Sequence, residues 1–147
     1  MDQNKRFGLG VFALIFNKNF SKILLVERNE EKRKKFNADW GNIGGRIEFG
    51  ETSIQACVRE IREEIGLDLS PKKLKLIEIR EHPHHSLNVH GVQFIYTASI
   101  SEKEKITIND ESDEYGWFDL KNLPDKMIDS KENIRRWWKI AKNKFGK

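Results

Sequence analysis

Three glutamates, Glu60, Glu63 and Glu64, fall within five consecutive positions. At about 100° per residue on a helix they share an arc of roughly 100°. Their i, i+3 and i, i+4 spacings press like charges together, at a cost of roughly 0.2–0.5 kcal/mol per pair. Acids this far into a helix gain little from its dipole. A divalent cation would turn the repulsion into ligation. Carboxylates are hard oxygen donors, so Mg²⁺ suits them best, Mn²⁺ is a workable substitute, and zinc does not fit. An ordinary solvated face is the competing reading, because Arg59 lies four residues before Glu63 and Arg62 lies beside it. On the helix alone the two readings stand level.

The helix that carries these acids is strongly marked. Ile54, Cys57, Val58, Ile61 and Ile65 keep the 3.6-residue period between Thr52 and Ile65. Thr52 with Gln55 matches a capping box, and Gly66 supplies a left-handed stop. The apolar stripe runs beside the acidic arc, so a helix packed on a sheet would hold the acids at the border of its buried face. Upstream, residues 7–16 read as a mostly buried strand. Asn17-Lys18-Asn19 reads as a turn, and Lys22 to Glu27 as the second strand of a hairpin. A charged loop over residues 29–38 is expected before Trp40. Gly41, Gly44, Gly45 and Gly50 predict a tight loop that exposes its backbone, where Gly44 or Gly45 can offer a carbonyl oxygen.

Downstream, strands are expected from Leu74 to Ile79 and from Val92 to Ile100, with short ones near Ile106 and at Trp117-Phe118. Ile134, Trp137, Trp138, Ala141 and Phe145 predict a closing amphipathic helix whose tryptophans anchor a core. Strands broken by one helix and closed by another predict an α+β fold, a mixed β-sheet between helices.

Composition narrows the class. A chain of 147 residues suits one domain over 1–147. The longest apolar stretch, Val11 to Phe16, is six residues, against the roughly 20 that span a bilayer, so no membrane segment is expected. The start, from Met1 to Arg6, has no cleavage-like segment. Cys57 has no partner for an intramolecular disulfide, which fits a reducing, cytoplasmic location. The net charge of +4 comes from residues 131–147 and from Lys32-Arg33-Lys34-Lys35. A solvated helix face and a charged loop explain that excess better than a nucleic-acid surface.

Gly45 and Glu51 are separated by five residues, Glu51 and Arg59 by seven, and Arg59-Glu60-Ile61-Arg62-Glu63-Glu64-Ile65-Gly66-Leu67 follows without a break. This arrangement resembles the Nudix hydrolase signature at all nine specified positions, over 23 of the 147 residues. Background residue frequencies put the chance of such a match on the order of one in a million per chain. Asn42-Ile43 stands where many members carry Leu-Pro.

The resemblance implies the family's α/β/α sandwich. It also implies hydrolysis of a nucleoside diphosphate linked to another moiety. By that resemblance Glu60, Glu63 and Glu64 bind the metal with the carbonyl of Gly44 or Gly45, while Glu51 and Arg59 brace the loop against the helix. The catalytic acids would be Glu64, Glu63 and one from a later loop. Glu111, Asp113 and Glu114 are available there, and Glu114 is favoured because it stands three residues before Trp117.

The substrate is less sharply marked. His82, His84, His85 and His90 crowd around Pro83, where a surface loop, a phosphate or sugar contact and a second metal are all open readings. Pro83 stands sixteen residues past the signature, a spacing similar to that of ADP-ribose-hydrolysing members, which slightly favours ADP-ribose or a sugar nucleotide. Trp40 to Glu51 looks equally like members acting on nucleoside triphosphates. Phe7, Phe36 and Trp40 are candidates for base stacking, with a core role as the alternative. The expected partner is a small nucleotide, with a homodimer open to it as to many relatives. A non-catalytic nucleotide- or nucleic-acid-binding module is the alternative in another class.

Overall fold

The computed structural model describes residues 4–84 and 87–146. Its axis is β1 (Arg6–Asn17). Ahead along the chain lie β2 (Lys22–Arg28), β3 (Trp40–Gly41), β4 (Ile43–Arg46), β5 (Lys75–His84), β6 (Val89–Ile100) and β7 (Ser112–Asp119). On one edge β1 runs parallel to β6 from Arg6↔Val89 to Asn17↔Ile100. Its other edge is shared by two antiparallel partners, β4 opposite Gly10–Ala13 and β2 at Phe16↔Ile23. β5 flanks β6, while β3 and β7 flank β2.

Side chains alternate across a strand, and both faces of β1 and β2 are apolar. Val11, Ala13, Ile15, Leu24 and Val26 meet Ala56, Cys57, Ile61 and Ile65 of α2 (Ser53–Ile65). Leu14, Phe16, Ile23 and Leu25 meet Ile134, Trp137 and Ala141 of α3 (Lys131–Phe145). The expected sandwich is present, and the unbroken apolar run of β1 is explained by helices covering both faces of the sheet. Among the described residues no helix is long and apolar enough to cross a membrane.

The helix with the acids forms as the sequence indicates. Thr52 Oγ1 accepts from the Gln55 amide, and Gln55 Oε1 accepts from the Thr52 amide at 2.9 Å. Gly66 ends the helix at φ 72°, with its N–H donating to the Arg62 carbonyl.

Four local expectations are corrected. The charged stretch over 29–38 is largely helical: α1 spans Glu30–Phe36, and Asn29 caps it by accepting from the Lys32 amide. Glu30 and Glu31 in its first turn and Arg33, Lys34 and Lys35 in its last complement the helix dipole. It buries no side chain, so it carries no apolar period. The glycine cluster is mostly strand. A Cβ at Gly44 would lie 2.4 Å from the Val11 carbonyl oxygen, so glycine there allows close backbone approach rather than a loop. No strand forms at Ile106. Instead Thr107 donates to the Ile65 carbonyl and Asn109 to that of Glu63, both at 2.9 Å, covering the end of α2. Finally, His82 and His84 lie on β5 and His90 on β6 rather than in a loop; His85 lies outside the described residues.

Candidate active site

Arg59 organises the cleft side of α2. Its Nε and Nη2 form a two-pronged pair with Glu51 at 2.8 and 2.9 Å, and Nη2 also donates to the Arg46 carbonyl at 2.9 Å. Glu51 accepts from the Glu48 amide at 2.8 Å as well. These bonds tie the segment after β4 to the helix. The Arg59 hydrogen bonds, helped by the backbone amide, hold the Glu51 carboxyl down at about 2. From the same guanidinium, Nη1 donates to Glu60 at 2.8 Å and to Glu63 at 3.3 Å.

Glu60 lies against the backbone of β4. A Cβ built on Gly45 would fall 2.3 Å from Glu60 Oε1, so this carboxylate fills the space a side chain at position 45 would occupy. Burial pushes its pKa up, against the pull of Arg59. Glu64, one turn on, accepts from the Gly44 amide at 2.8 Å. Burial, with help from Glu60 and Glu111, pushes Glu64 up to about 8, opposed by the Gly44 hydrogen bond and Arg28. Glu63 is the more exposed of the three.

Among the described residues no three His, Cys, Asp or Glu side chains converge as a metal cluster. Glu60 and Glu63 are engaged by Arg59, and Glu64 by Gly44. The donor set nonetheless suits a hard divalent cation. Two crowded carboxylates with raised pKa lie against half-buried glycine backbone, and a cation would restore their charge.

These acids line a cleft of about 1290 Å³. Glu51, Arg59 and Gly45 line it too, as do His82 and His84. Glu114 does not: it sits on β7 in register with Glu27. The later acid that shares the cleft is Glu111, whose carboxylate lies 3.3 Å from Lys32 Nζ. Asp113 is paired with Arg33 at 2.8 Å. His90 bonds Glu81 and leans on Phe7, and with Pro83 and His84 it lines a side cavity of about 250 Å³.

Of the aromatic candidates, Trp40 packs edge-on against Phe118 at 4.7 Å, as a core residue would. Phe7 and Phe36 are exposed and line the cleft. The sequence reading missed Arg28. Its Nε is buried with no hydrogen-bond partner, and its guanidinium lies over the Phe36 ring. A basic residue ending an apolar strand carries no signal that would have singled it out.

The NUDIX domain model matches residues 6–138. An ADP-ribose pyrophosphatase of Methanocaldococcus jannaschii is 33% identical over 120 residues, covering 80% of this chain and 68% of that protein. The mRNA-decapping enzyme subunit 2 of Saccharomyces cerevisiae is 32% identical over 125 residues, 84% of this chain, but the chain spans only 12% of its length. A MutT NUDIX hydrolase from Burkholderia pseudomallei superposes with a TM-score of 0.72 at 25% identity, covering 93% of this chain and 99% of that one. With the match running nearly end to end and the signature acids gathered on one cleft, the chain belongs to the NUDIX family.

Proposed function

We propose that this chain hydrolyses the diphosphate of a nucleoside diphosphate linked to another group, using Mg²⁺ or, in its place, Mn²⁺. The observation that carries the reading is the seating of Glu60 and Glu64 on the glycine backbone of β4, where both are partly buried, Glu60 shares the one Arg59 guanidinium with Glu51 and Glu63, and Glu64 makes no ion pair among the described residues. Glu60, Glu63, Glu64 and the Gly45 carbonyl would hold the ion. A bound Mg²⁺ would neutralise phosphate charge and lower the pKa of a bound water.

The chain's own groups do the rest. Glu51 and Arg59 lock the glycine segment to α2, so that the carboxylates keep their mutual positions. A carboxylate on the cleft must take the proton of the attacking water. We assign that role to Glu111, which lies outside α2 yet lines the same cleft, in place of Glu114. Glu63 and Glu64 are then ligands first. That one family model runs from residue 6 to residue 138 supports a single domain. The relative named as an ADP-ribose pyrophosphatase supports ADP-ribose and sugar nucleotides as the simplest substrates, with nucleoside triphosphates as the alternative within the same chemistry.

The test is to incubate the protein with ADP-ribose, sugar nucleotides and (deoxy)nucleoside triphosphates, with and without Mg²⁺, and to look for phosphomonoester products. Metal-dependent release from at least one class is expected. Inactivity on every class, together with steeply salt-dependent binding to nucleic acid, would favour a binding module instead.

A further inference from the structure

We propose that Arg28, Lys32 and Lys35 form a receptor for a phosphate group that the substrate carries beyond the diphosphate being cleaved, with Phe36 holding the Arg28 guanidinium in place. The proposal deepens the hydrolytic reading above and rests on it.

Arg28 closes β2 at the cleft, and its guanidinium makes no hydrogen bond or ion pair among the described residues; Nε is buried without a partner. Burial pulls its pKa down, yet an arginine keeps its charge in proteins. A charged, partly buried fork with free donors is costly unless an anion completes it. The guanidinium carbon lies 5.6 Å from the centre of the Phe36 ring, which orients it by cation–π attraction.

The cations of α1 are sorted by face. Lys32, Lys35 and Phe36 stand at i, i+3 and i+4 and line the cleft. Arg33 and Lys34 do not line it, and they are satisfied elsewhere, by Glu27 and Asp113 and by Glu30. Lys35 has no acidic partner among the described residues and rests 5.3 Å from the same ring. Lys32 is paired with the exposed Glu111, a partner it can exchange. The cleft, at about 1290 Å³, is larger than the roughly 300–1,000 Å³ of a usual small-ligand pocket. A planar guanidinium and two ammonium groups lining one cleft are the donor set that phosphate oxygens select.

The source of that phosphate is either the end of a nucleoside triphosphate or a phosphorylated group attached to the diphosphate. The experiment compares kcat/KM for a nucleoside triphosphate, for a sugar nucleotide bearing an extra phosphate on its sugar, and for ADP-ribose, in wild type, Arg28→Gln and Lys35→Ala. The ratio of either extra-phosphate substrate to ADP-ribose should fall about tenfold in Arg28→Gln, the worth of one charge-assisted hydrogen bond. Whichever of the two shows the fall identifies the source. In parallel, calorimetric titration with inorganic triphosphate in EDTA should show about tenfold weaker binding to each variant than to wild type.

A ratio unchanged in both variants would overturn the proposal, because Arg28 would then clamp the cleaved diphosphate itself. Equal triphosphate binding by all three proteins would overturn it as well. The exposed Lys35 keeps the test open should Arg28→Gln fail to fold. If no substrate is turned over, the hydrolytic reading fails, while the titration still reads the receptor.

Discussion

Glu51 and Glu64 titrate in opposite directions, and each gives stability a pH dependence of its own sign. The Glu51 carboxyl is held at about 2, below its ordinary 4.5, chiefly by Arg59. Its contribution is complete above the ordinary value and is lost as pH falls from there toward 2. Glu51→Gln should flatten that acid limb in thermal melts and leave the neutral range with a lower, more constant Tm. The Glu64 carboxyl is pushed up to about 8 by burial, so the metal-free fold favours its protonated form. Its contribution is present below the ordinary carboxylate value and is lost as pH rises through about 8. Melts of metal-free protein in EDTA should therefore show a Tm that declines from pH 5 to pH 8.5, a decline made shallower in Glu64→Gln, where only the smaller effect of Glu60 remains. Gly45→Ala tests the seat itself. The added Cβ would meet the Glu60 carboxylate, and Mn²⁺ affinity should drop about 10–100-fold, as for other groups that position a ligand, with the fold retained by circular dichroism.

At the scale of the element, α2 and α1 show what local sequence can and cannot announce. Thr52, Gln55 and Gly66 mark the two ends of α2, and its apolar period marks the middle, so its boundaries were legible to the residue. Gly66 has φ 72°, and a Cβ there would lie 3.0 Å from that of Thr107. Gly66→Ala should cost at least about 1 kcal/mol in urea unfolding. The helix α1 was not legible, because it buries no side chain and is held by its cap and its charges. Periodicity has nothing to detect in such a segment. The glycines of β4 misled in the other direction. Gly44 and Gly45 suggested a loop, whereas they let the carboxylate of Glu60 and the backbone of β1 approach a strand. Similarly, Ile106 and Ile108 pack on the core as the segment passes the end of α2, so their apolar character imitated a strand.

For the molecule as a whole, the two-faced sheet was readable because β1 is apolar at consecutive positions and two amphipathic helices remained to cover it. Trp137 is fully buried on the α3 side, and its Nε1 donates to Glu78 at 2.8 Å. Trp137→Ala should cost about 3–5 kcal/mol in denaturant unfolding. The cleft was readable only in part. The acids of α2 and their brace lie in one contiguous signature, while Arg28 and the cleft-facing cations of α1 come from a stretch well before it and Glu111 from a loop well after it. Only the closing of the sheet brings them to one wall, and no spacing rule records that.

The most direct trial of the metal assignment is calorimetric titration of EDTA-stripped protein with Mn²⁺, in wild type and in Glu64→Gln, with circular dichroism confirming that both are folded. Wild type should bind saturably, and the variant should bind at least about tenfold more weakly, the worth of one charged ligand contact. A wild-type protein that takes up no ion, or a variant that takes it up equally well, would refute the proposal that these glutamates form a catalytic metal site.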